Sequence, residues 1–311
     1  MPLPVLVIGS SNTDMVVRSD RLPKRGETVI GGTFMMNPGG KGANQAVAAA
    51  RLGGEVTFVT KLGNDIFGKS TTRLLADERI NTAFVYTDAE HPSGVALIGV
   101  DAEGENLIIV APGANRYLSA GEVDSAFDSI NGEAMVLLQL EIAPDTVAHV
   151  IREAHHRHLN VILNPAPAET IPADLLSKLF LITPNESEAG LLTGIDVVDE
   201  ASVVKAAGAL HEMGVTNVMI TLGKNGVYLS CESDKGFFRP PSTQAIDTTA
   251  AGDCFSGAVA VALSTGYSMA EAAQFGCDAA SLSVTRMGAQ ASMPFLDEVK
   301  QIQKKRQNYA P

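Results

Sequence analysis

The stretch MVLLQLEIAPDTVAHVIREAHHRHLNVIL, Met135 to Leu163, reads as strand, helix and strand in succession. Met135–Leu140 and Val161–Leu163 are short apolar runs suited to burial within a sheet, and Pro144–His156 between them has a helical pattern. Strands joined through a helix need a crossover connection, so this unit predicts parallel neighbours. Working outward, the alternation recurs. Val5–Gly9, Val56–Thr60, Leu179–Thr183 and Val218–Leu222 read as further buried strands, with helices at Ala43–Leu52, Ser70–Asp77 and Ser202–Met213. The last part is helical, over Cys254–Ser264, Ala270–Thr285 and Phe295–Lys305. The expected fold class is α/β, a central and mostly parallel sheet flanked by helices.

Around Val16–Phe34 and Gly94–Val110 the pattern shifts to two-residue alternation broken by Gly and Pro. These stretches predict a small β-sheet lid outside the main sheet, drawn from segments near 14–37 and 93–111. No internal repeat, low-complexity tract or linker interrupts the chain. Residues 1–311 therefore read as one domain carrying a lid.

Bulk composition narrows the function classes. Apolar residues make up 45% of the 311 and charged residues 19%, enough apolar material for a packed core and too much for a disordered chain. The formal charge of −12 argues against nucleic acid as a partner, since that needs clustered Lys and Arg. Cys231, Cys254 and Cys277 are scattered, odd in number and without metal-ligand spacing, and read as reduced thiols of a cytoplasmic protein. Met1–Ser10 lacks the pattern of a signal peptide, and no apolar run is long enough to span a bilayer.

In an open parallel sheet, ligands bind beyond the carboxyl ends of the strands. Here Val5–Gly9 leads to Asn12 and Asp14, Met135–Leu140 to Glu141, Leu179–Thr183 to Asn185 and Glu188, and Val218–Ile220 to Thr221 and Gly223. Parallel strands bring all of these to one rim, as a polar small molecule requires.

Asp247-Thr-Thr-Ala-Ala-Gly-Asp253 precedes an apolar helix rich in small residues. Ala250, Ala251 and Gly252 keep bulk away from the backbone, so N–H groups at the helix N-terminus can face an anion such as a nucleotide phosphate. Asp253 in the first turn can take a proton from a hydroxyl; with a reference pKa of about 3.9 it does so only as the attacking oxygen begins to bond to phosphorus. An ordinary capped helix accounts for the same residues. Gly39-Gly-Lys-Gly-Ala-Asn44 opens another helix, where Lys41 and Asn44 offer hydrogen bonds to hydroxyls; a plain glycine-rich turn is the alternative. Asp14 and Glu141 could each accept two hydroxyl protons from a vicinal diol, or be surface charges after a strand. Asn185-Glu-Ser-Glu188 suits hydrated Mg²⁺ near phosphates, yet the spacing is also that of a capping box. Thr221-Leu-Gly-Lys-Asn-Gly226 could be a hairpin with a two-residue Asn-Gly turn.

Gly63-Asn-Asp-Ile-Phe-Gly-Lys-Ser70 matches the P-loop pattern. Ile66 and Phe67 are bulky for a phosphate cradle, and no partner strand ending in a magnesium-binding Asp is evident, so an ordinary strand-to-helix turn is the better reading. The histidines at 155, 156 and 158 fall near a helix end, where they suit the dipole without a metal. No dinucleotide fingerprint follows an early strand.

Together these segments closely resemble the ribokinase-like sugar kinases, also called the phosphofructokinase B family. The carriers are Gly9-Ser-Ser-Asn-Thr-Asp14, the glycine-rich run 39–48, Leu138-Gln-Leu-Glu141, Asn164-Pro-Ala-Pro-Ala168, Thr183-Pro-Asn-Glu186, Ile220-Thr-Leu-Gly223, Asp247–Asp253 and Val284-Thr-Arg-Met-Gly-Ala-Gln290. The likeness runs from Val5 to about Pro294, and the runs at 39–48 and 247–258 resemble the family's signatures. It implies ATP-dependent phosphorylation of D-ribose at O5. By that resemblance Asn12, Asp14, Gly40, Lys41, Gly42, Asn44 and Glu141 would bind the sugar, with Asp253 as the base and Ala250 to Asp253 as the anion hole. Asn185, Thr221, Gly223, Gly226, Gly252 and Cys277 would contact ATP, and Asn185 and Glu188 would lie near Mg²⁺. An activating K⁺ would fall on Asp247, Thr249, Ser283, Arg286, Gly288 and Ser292, partly through backbone carbonyls. Cys277 departs from the His or Asn often found there beside adenine, which leaves nucleotide preference open. The lid strands resemble those that pair between subunits, implying a homodimer. Within the family, 2-deoxyribose or another sugar or nucleoside is the alternative acceptor, though an apolar residue tends to replace Asn12 in deoxyribokinases. A catalytically silent sugar-binding regulator is the alternative of another class, and it would have no need of Asp253.

Overall fold

Alternate residues of the innermost strand point into two different cores, which fixes a three-layer arrangement. Val5 and Val7 face one buried cluster and Leu6 and Ile8 the other, all at most 2% exposed. The computed structural model describes residues 2–309. In chain order it runs β1 (Val5–Ile8), β2 (Asn12–Arg18), β3 (Thr33–Gly39), α1 (Lys41–Arg51), β4 (Val56–Gly63), α2 (Ile66–Asp77), β5 (Val85–Asp88), β6 (Gly94–Val100) and β7 (Asn106–Ala111). There follow α3 (Ala120–Phe127), β8 (Met135–Leu138), α4 (Pro144–His156), β9 (Asn160–Leu163), α5 (Ala173–Leu176), β10 (Leu181–Ile182), α6 (Glu186–Thr193) and α7 (Glu200–Glu212). The chain closes with β11 (Asn217–Thr221), β12 (Val227–Ser230), β13 (Lys235–Phe238), α8 (Ala251–Ser264), α9 (Met269–Ser283) and α10 (Leu296–Tyr309).

Nine strands form the large sheet in the order β13-β12-β11-β10-β9-β8-β1-β4-β5. From β11 to β5 all neighbours are parallel, as the 135–163 unit predicts; β12 and β13 add an antiparallel edge. Helices α1, α8 and α9 bury one face, and α3, α4 and α7 the other. The expected small sheet is present as β3-β2-β6-β7. It extends β1 outward, because only Gly9 to Ser11 separate β1 from β2.

Two glycines let helices pack unusually close at the heart of the molecule. A Cβ on Gly257 of α8 would lie 2.8 Å from the carbonyl oxygen of Gln45 and 2.9 Å from the Ala48 Cβ, so only glycine lets α8 approach α1 so nearly. At the base of α1, a Cβ on Gly42 would lie 2.6 Å from the carbonyl carbon of Gly9. Gly42 thus sets the fit of α1 against the end of β1. No helix among the described residues is long and apolar enough to cross a membrane.

Candidate active site

The carboxyl ends of β9, β10 and β11 supply Asn164, Thr183, Asn185 and Thr221 to a cleft of about 210 Å³. Lys41 at the start of α1 and Ala250 to Asp253 at the start of α8 face the same space. The rim expected from parallel strands therefore exists, and two helix N-termini open onto it.

Ala250 caps α8 in the left-handed conformation, φ 60° and ψ 17°, which costs an alanine about 1 kcal/mol. No side chain caps this helix. The N–H groups of Gly252 and Asp253 find no acceptor among the described residues, and open space lies where a Gly252 side chain would project. Free amides, a helix dipole and no intervening bulk make an anion site.

Asp253 sits at the third position of that helix, buried, with both carboxylate oxygens engaged. Asn44 Nδ2 donates to Oδ2 and Gln45 Nε2 to Oδ1, each at 2.9 Å. Burial pushes its pKa above the usual carboxylate range, opposed by the charge of Lys41 and by the two amide donors. Gln45 Nε2 also donates to Asn164 Oδ1 at 3.0 Å, and Gln139 Nε2 donates to Gln45 Oε1 at 2.7 Å. A carboxylate cannot donate, so the Asn44 amide must turn its nitrogen to Asp253. Its Oδ1 is then a buried acceptor without a partner among the described residues.

Four acids surround one lysine here. Burial works against the charge on Lys41, but Asp253, Glu141, Glu188 and Asp14 outweigh it and raise its pKa. Glu141 accepts from Ser10 Oγ at 2.5 Å and from the Lys41 backbone N–H at 3.0 Å. Burial, then the negative charges of Glu141 and Asp253, push Asp14 up to about 6 against the pull of Lys41. Gly40 has φ 87°, and a Cβ there would lie 2.6 Å from the Asn12 nitrogen; both the conformation and the space require glycine. Asn12 itself accepts at Oδ1 from Asn115 Nδ2 at 2.8 Å. The structure thus groups Asn12, Asp14, Asn44 and Glu141 around Lys41 and Asp253, the two of these six that line the cleft.

Asn185 and Glu188, also on the cleft wall, do form a capping box. Asn185 Oδ1 accepts from the Glu188 N–H, and Glu188 Oε2 accepts from the Asn185 N–H, both at 2.8 Å. Capping explains their spacing, while the Glu188 charge still reaches Lys41. The 221–226 segment does reverse the chain into antiparallel β12, through five residues, Leu222 to Gly226, instead of a two-residue turn. Gly223 and Gly226 both have positive φ, and a Gly226 Cβ would lie 1.9 Å from the Phe238 carbonyl oxygen. Cys277 donates through Sγ to that same carbonyl at 3.6 Å. Gly226 and Cys277 therefore gather around the end of β13, apart from the residues lining the cleft. Burial holds the Cys277 thiol at about 12, so it is inert.

Asp247, Thr249 and Gly288 come together through the Asp247 carboxylate. Its Oδ1 accepts from the Thr249 N–H and hydroxyl, and its Oδ2 from the Gly288 N–H. Burial disfavours that charge, but these donors prevail and lower its pKa. Ser283 and Ser292 are buried, their hydroxyls donating to carbonyls of their own segments. The Arg286 side chain turns away to pair with Glu298.

The P-loop look-alike is closed by the protein's own carboxylate. Asp65 caps α2, accepting from the Gly68 N–H at 2.8 Å, and also accepts from the N–H and hydroxyl of Ser93. An anion of the chain occupies the place a phosphate would need, and Lys69 is exposed. His155, His156 and His158 are exposed at the end of α4, in keeping with the dipole reading. Sequence reasoning gave no role to Gln45, Gln139 or Asn115. The available signal was slight: Gln45 is a polar residue in an alanine-rich helix that buries both its neighbours.

The pfkB carbohydrate kinases match this chain over residues 3–296. A ribokinase of Haemophilus influenzae is 44% identical over 292 residues, covering 94% of this chain and 95% of its own length. A deoxyribokinase of Salmonella typhi is 35% identical over 295 residues, covering 94% of this chain and 96% of its own. Among solved structures, Arabidopsis thaliana ribokinase complexed with ribose and ATP superposes with a TM-score of 0.88 at 34% identity, covering 98% of this chain and 99% of its own.

Proposed function

The chain belongs to the pfkB family of carbohydrate kinases, and from that premise we propose that it transfers the γ-phosphoryl group of ATP to O5 of D-ribose with Asp253 as the base. ATP-dependent phosphorylation of ribose is its activity; the roles of individual residues are read from the cleft. The single observation that carries them is the buried Asp253 carboxylate, held by Asn44 and Gln45, in the first turn of a helix whose Gly252 and Asp253 amides are free.

The mechanism follows from that geometry. Asn12, Asp14, Asn44 and Glu141 hold the sugar hydroxyls, and Lys41 spans the distance between sugar and phosphates. Asp253 takes the proton of the attacking hydroxyl; its raised pKa brings it nearer the operating pH than an exposed aspartate. The amides of Gly252 and Asp253 meet the charge that spreads over the migrating phosphoryl group. Thr221 lines the cleft where the nucleotide would lie, and Gly223, Gly226 and Cys277, outside that lining, would meet only its outer part. Asn185 and Glu188 line the cleft, and Glu188 keeps lone pairs beyond its capping bonds, so the pair fits the waters of a hydrated Mg²⁺. When bound, that ion neutralises phosphate charge. Ionised Asp247, with oxygens of Thr249, Ser283, Gly288 and Ser292 and the Arg286 carbonyl, is a hard donor set that fits K⁺.

Kinetics with ATP, Mg²⁺ and either K⁺ or Na⁺ across a panel of sugars and nucleosides test the assignment. The highest kcat/KM is expected for D-ribose with K⁺; a higher value for 2-deoxyribose would reverse the substrate. Asp14 adds a pH dependence. Accepting hydroxyl protons favours its ionised form, so ribose binding competes with protonation of a group whose pKa is about 6. The KM for ribose is expected to rise as pH falls from about 7.5 to about 5, and a flat profile would remove Asp14 from the sugar site.

A single domain with its lid, reduced thiols and a cytoplasmic setting complete the proposal, supported by the three buried free cysteines. The lid carries a self-association surface. β7 is exposed along its whole length, including Leu107, Ile108, Ile109 and Val110, and Phe34, Met36 and Leu97 are exposed on the same sheet. An apolar edge of this kind is best covered by a second copy. Sedimentation as a monomer at micromolar concentration would exclude that homodimer.

A further inference from the structure

With Asn12 taken as a sugar ligand, as proposed above, a second amide behind it decides which end of Asn12 the sugar meets. Asn115 lies in the turn Gly113–Tyr117, where the chain returns from β7 to the large sheet, and is 1% exposed. Its Oδ1 accepts from the Ser11 N–H at 2.9 Å. That bond fixes the amide, so the opposite end must donate. Nδ2 gives to the Ser11 carbonyl at 3.1 Å and to Asn12 Oδ1 at 2.8 Å. Asn12 is left with its carbonyl end engaged and its NH₂ end without a partner among the described residues.

The two ends of an asparagine amide are alike in shape and opposite in hydrogen-bonding sense. The shape of Asn12 therefore cannot select which end it presents. Gly94 supplies the room for the selection. It pairs with Asn12 across β2 and β6, and a Cβ there would lie 2.2 Å from Asn12 Oδ1 and 2.4 Å from Asn115 Nδ2.

We infer that Asn115 is a positioning residue for sugar recognition, holding the carbonyl end of Asn12 so that Asn12 presents a hydrogen-bond donor to a hydroxyl oxygen. Asp14, two residues along the same face of β2, only accepts when ionised, as does Glu141. A sugar hydroxyl bridging Asn12 and an acid then receives one hydrogen bond and gives one. With Asn12 reversed, acceptors would face that hydroxyl from both sides, and its single proton could satisfy one of them.

Asn115→Asp tests this, because aspartate keeps the size, still accepts from Ser11 and cannot donate to Asn12. At saturating ATP, the KM for ribose is expected to rise about tenfold or more, while kcat changes less than about threefold and the KM for ATP stays put. In an Asn12→Leu background the effect of Asn115→Asp on ribose KM is expected to vanish. Equal effects in both backgrounds would overturn the inference and leave Asn115 a structural residue alone. Should Asn12→Leu by itself leave ribose KM unchanged, the sugar role of Asn12 fails first and the inference goes with it. An aspartate at 115 also faces the Ser11 carbonyl and weakens the fold, so Gly94→Ala gives a second arm by driving a methyl group between the two amides. A raised ribose KM with unchanged ATP KM supports the inference, and an unchanged ribose KM overturns it.

Discussion

Asp253→Asn is expected to lower kcat by roughly 10²-fold or more while sparing ATP binding. The substitution keeps the side chain's size and its place at the third position of α8, so the free amides of Gly252 and of residue 253 stay where they are. What is lost is the proposed proton acceptor. An asparagine also offers one oxygen to two amide donors, so either Asn44 or Gln45 loses its partner. The proposed phosphate-binding amides and nucleotide contacts are left in place, so ATP affinity, read by calorimetry, should change little. Turnover within about threefold of the parent enzyme would show that the proton goes elsewhere.

Gln45→Leu is expected to injure stability and turnover together. Gln45 is fully buried and donates to Asp253 and Asn164 while accepting from Gln139. Leucine is close in volume, so packing is largely kept and the polar loss is isolated. Three buried groups lose a partner at once, each such loss costing about 1–3 kcal/mol with partial relief by rearrangement. A drop in unfolding free energy of about 2–4 kcal/mol is expected in urea titrations. Turnover should fall about tenfold or more as the base loses one of its two restraints. The sign of the pH effect is also fixed. Asp253 loses a donor that favours its ionised form, its pKa rises further, and the acid limb of the kcat profile moves to higher pH. Unchanged stability with an unmoved acid limb would mean that Gln45 is a bystander.

The parts of this molecule that could be read from its chain are those whose meaning is local. Met135–Leu138 and Val5–Ile8 are fully apolar and lie mid-sheet, so their strands are evident without neighbours. Val85–Asp88 is four residues long and half exposed, and only pairing with β4 makes it a strand. β13 is likewise short and partly exposed and becomes a strand through pairing with β12, whereas the buried β12 follows the reversal that the 221–226 segment suggests. Helix α2 begins at Ile66, a turn before the expected Ser70, because Asp65 serves as its cap, a role visible once Ser93 is seen to hold the same carboxylate. Within the cleft, the glycines at 39–42 and the 250–253 turn announce themselves through backbone needs. Gln45, Gln139 and Asn115 do not. Their partners lie 94 to 208 residues away in the chain, and a lone polar side chain carries no sign of what it will meet.

The tight contact at Gly257 welds the helix bearing Asp253 to the helix bearing the two amides that restrain it. A displacement of the small sheet would leave that weld, and with it the aim of the Asp253 carboxylate, in place.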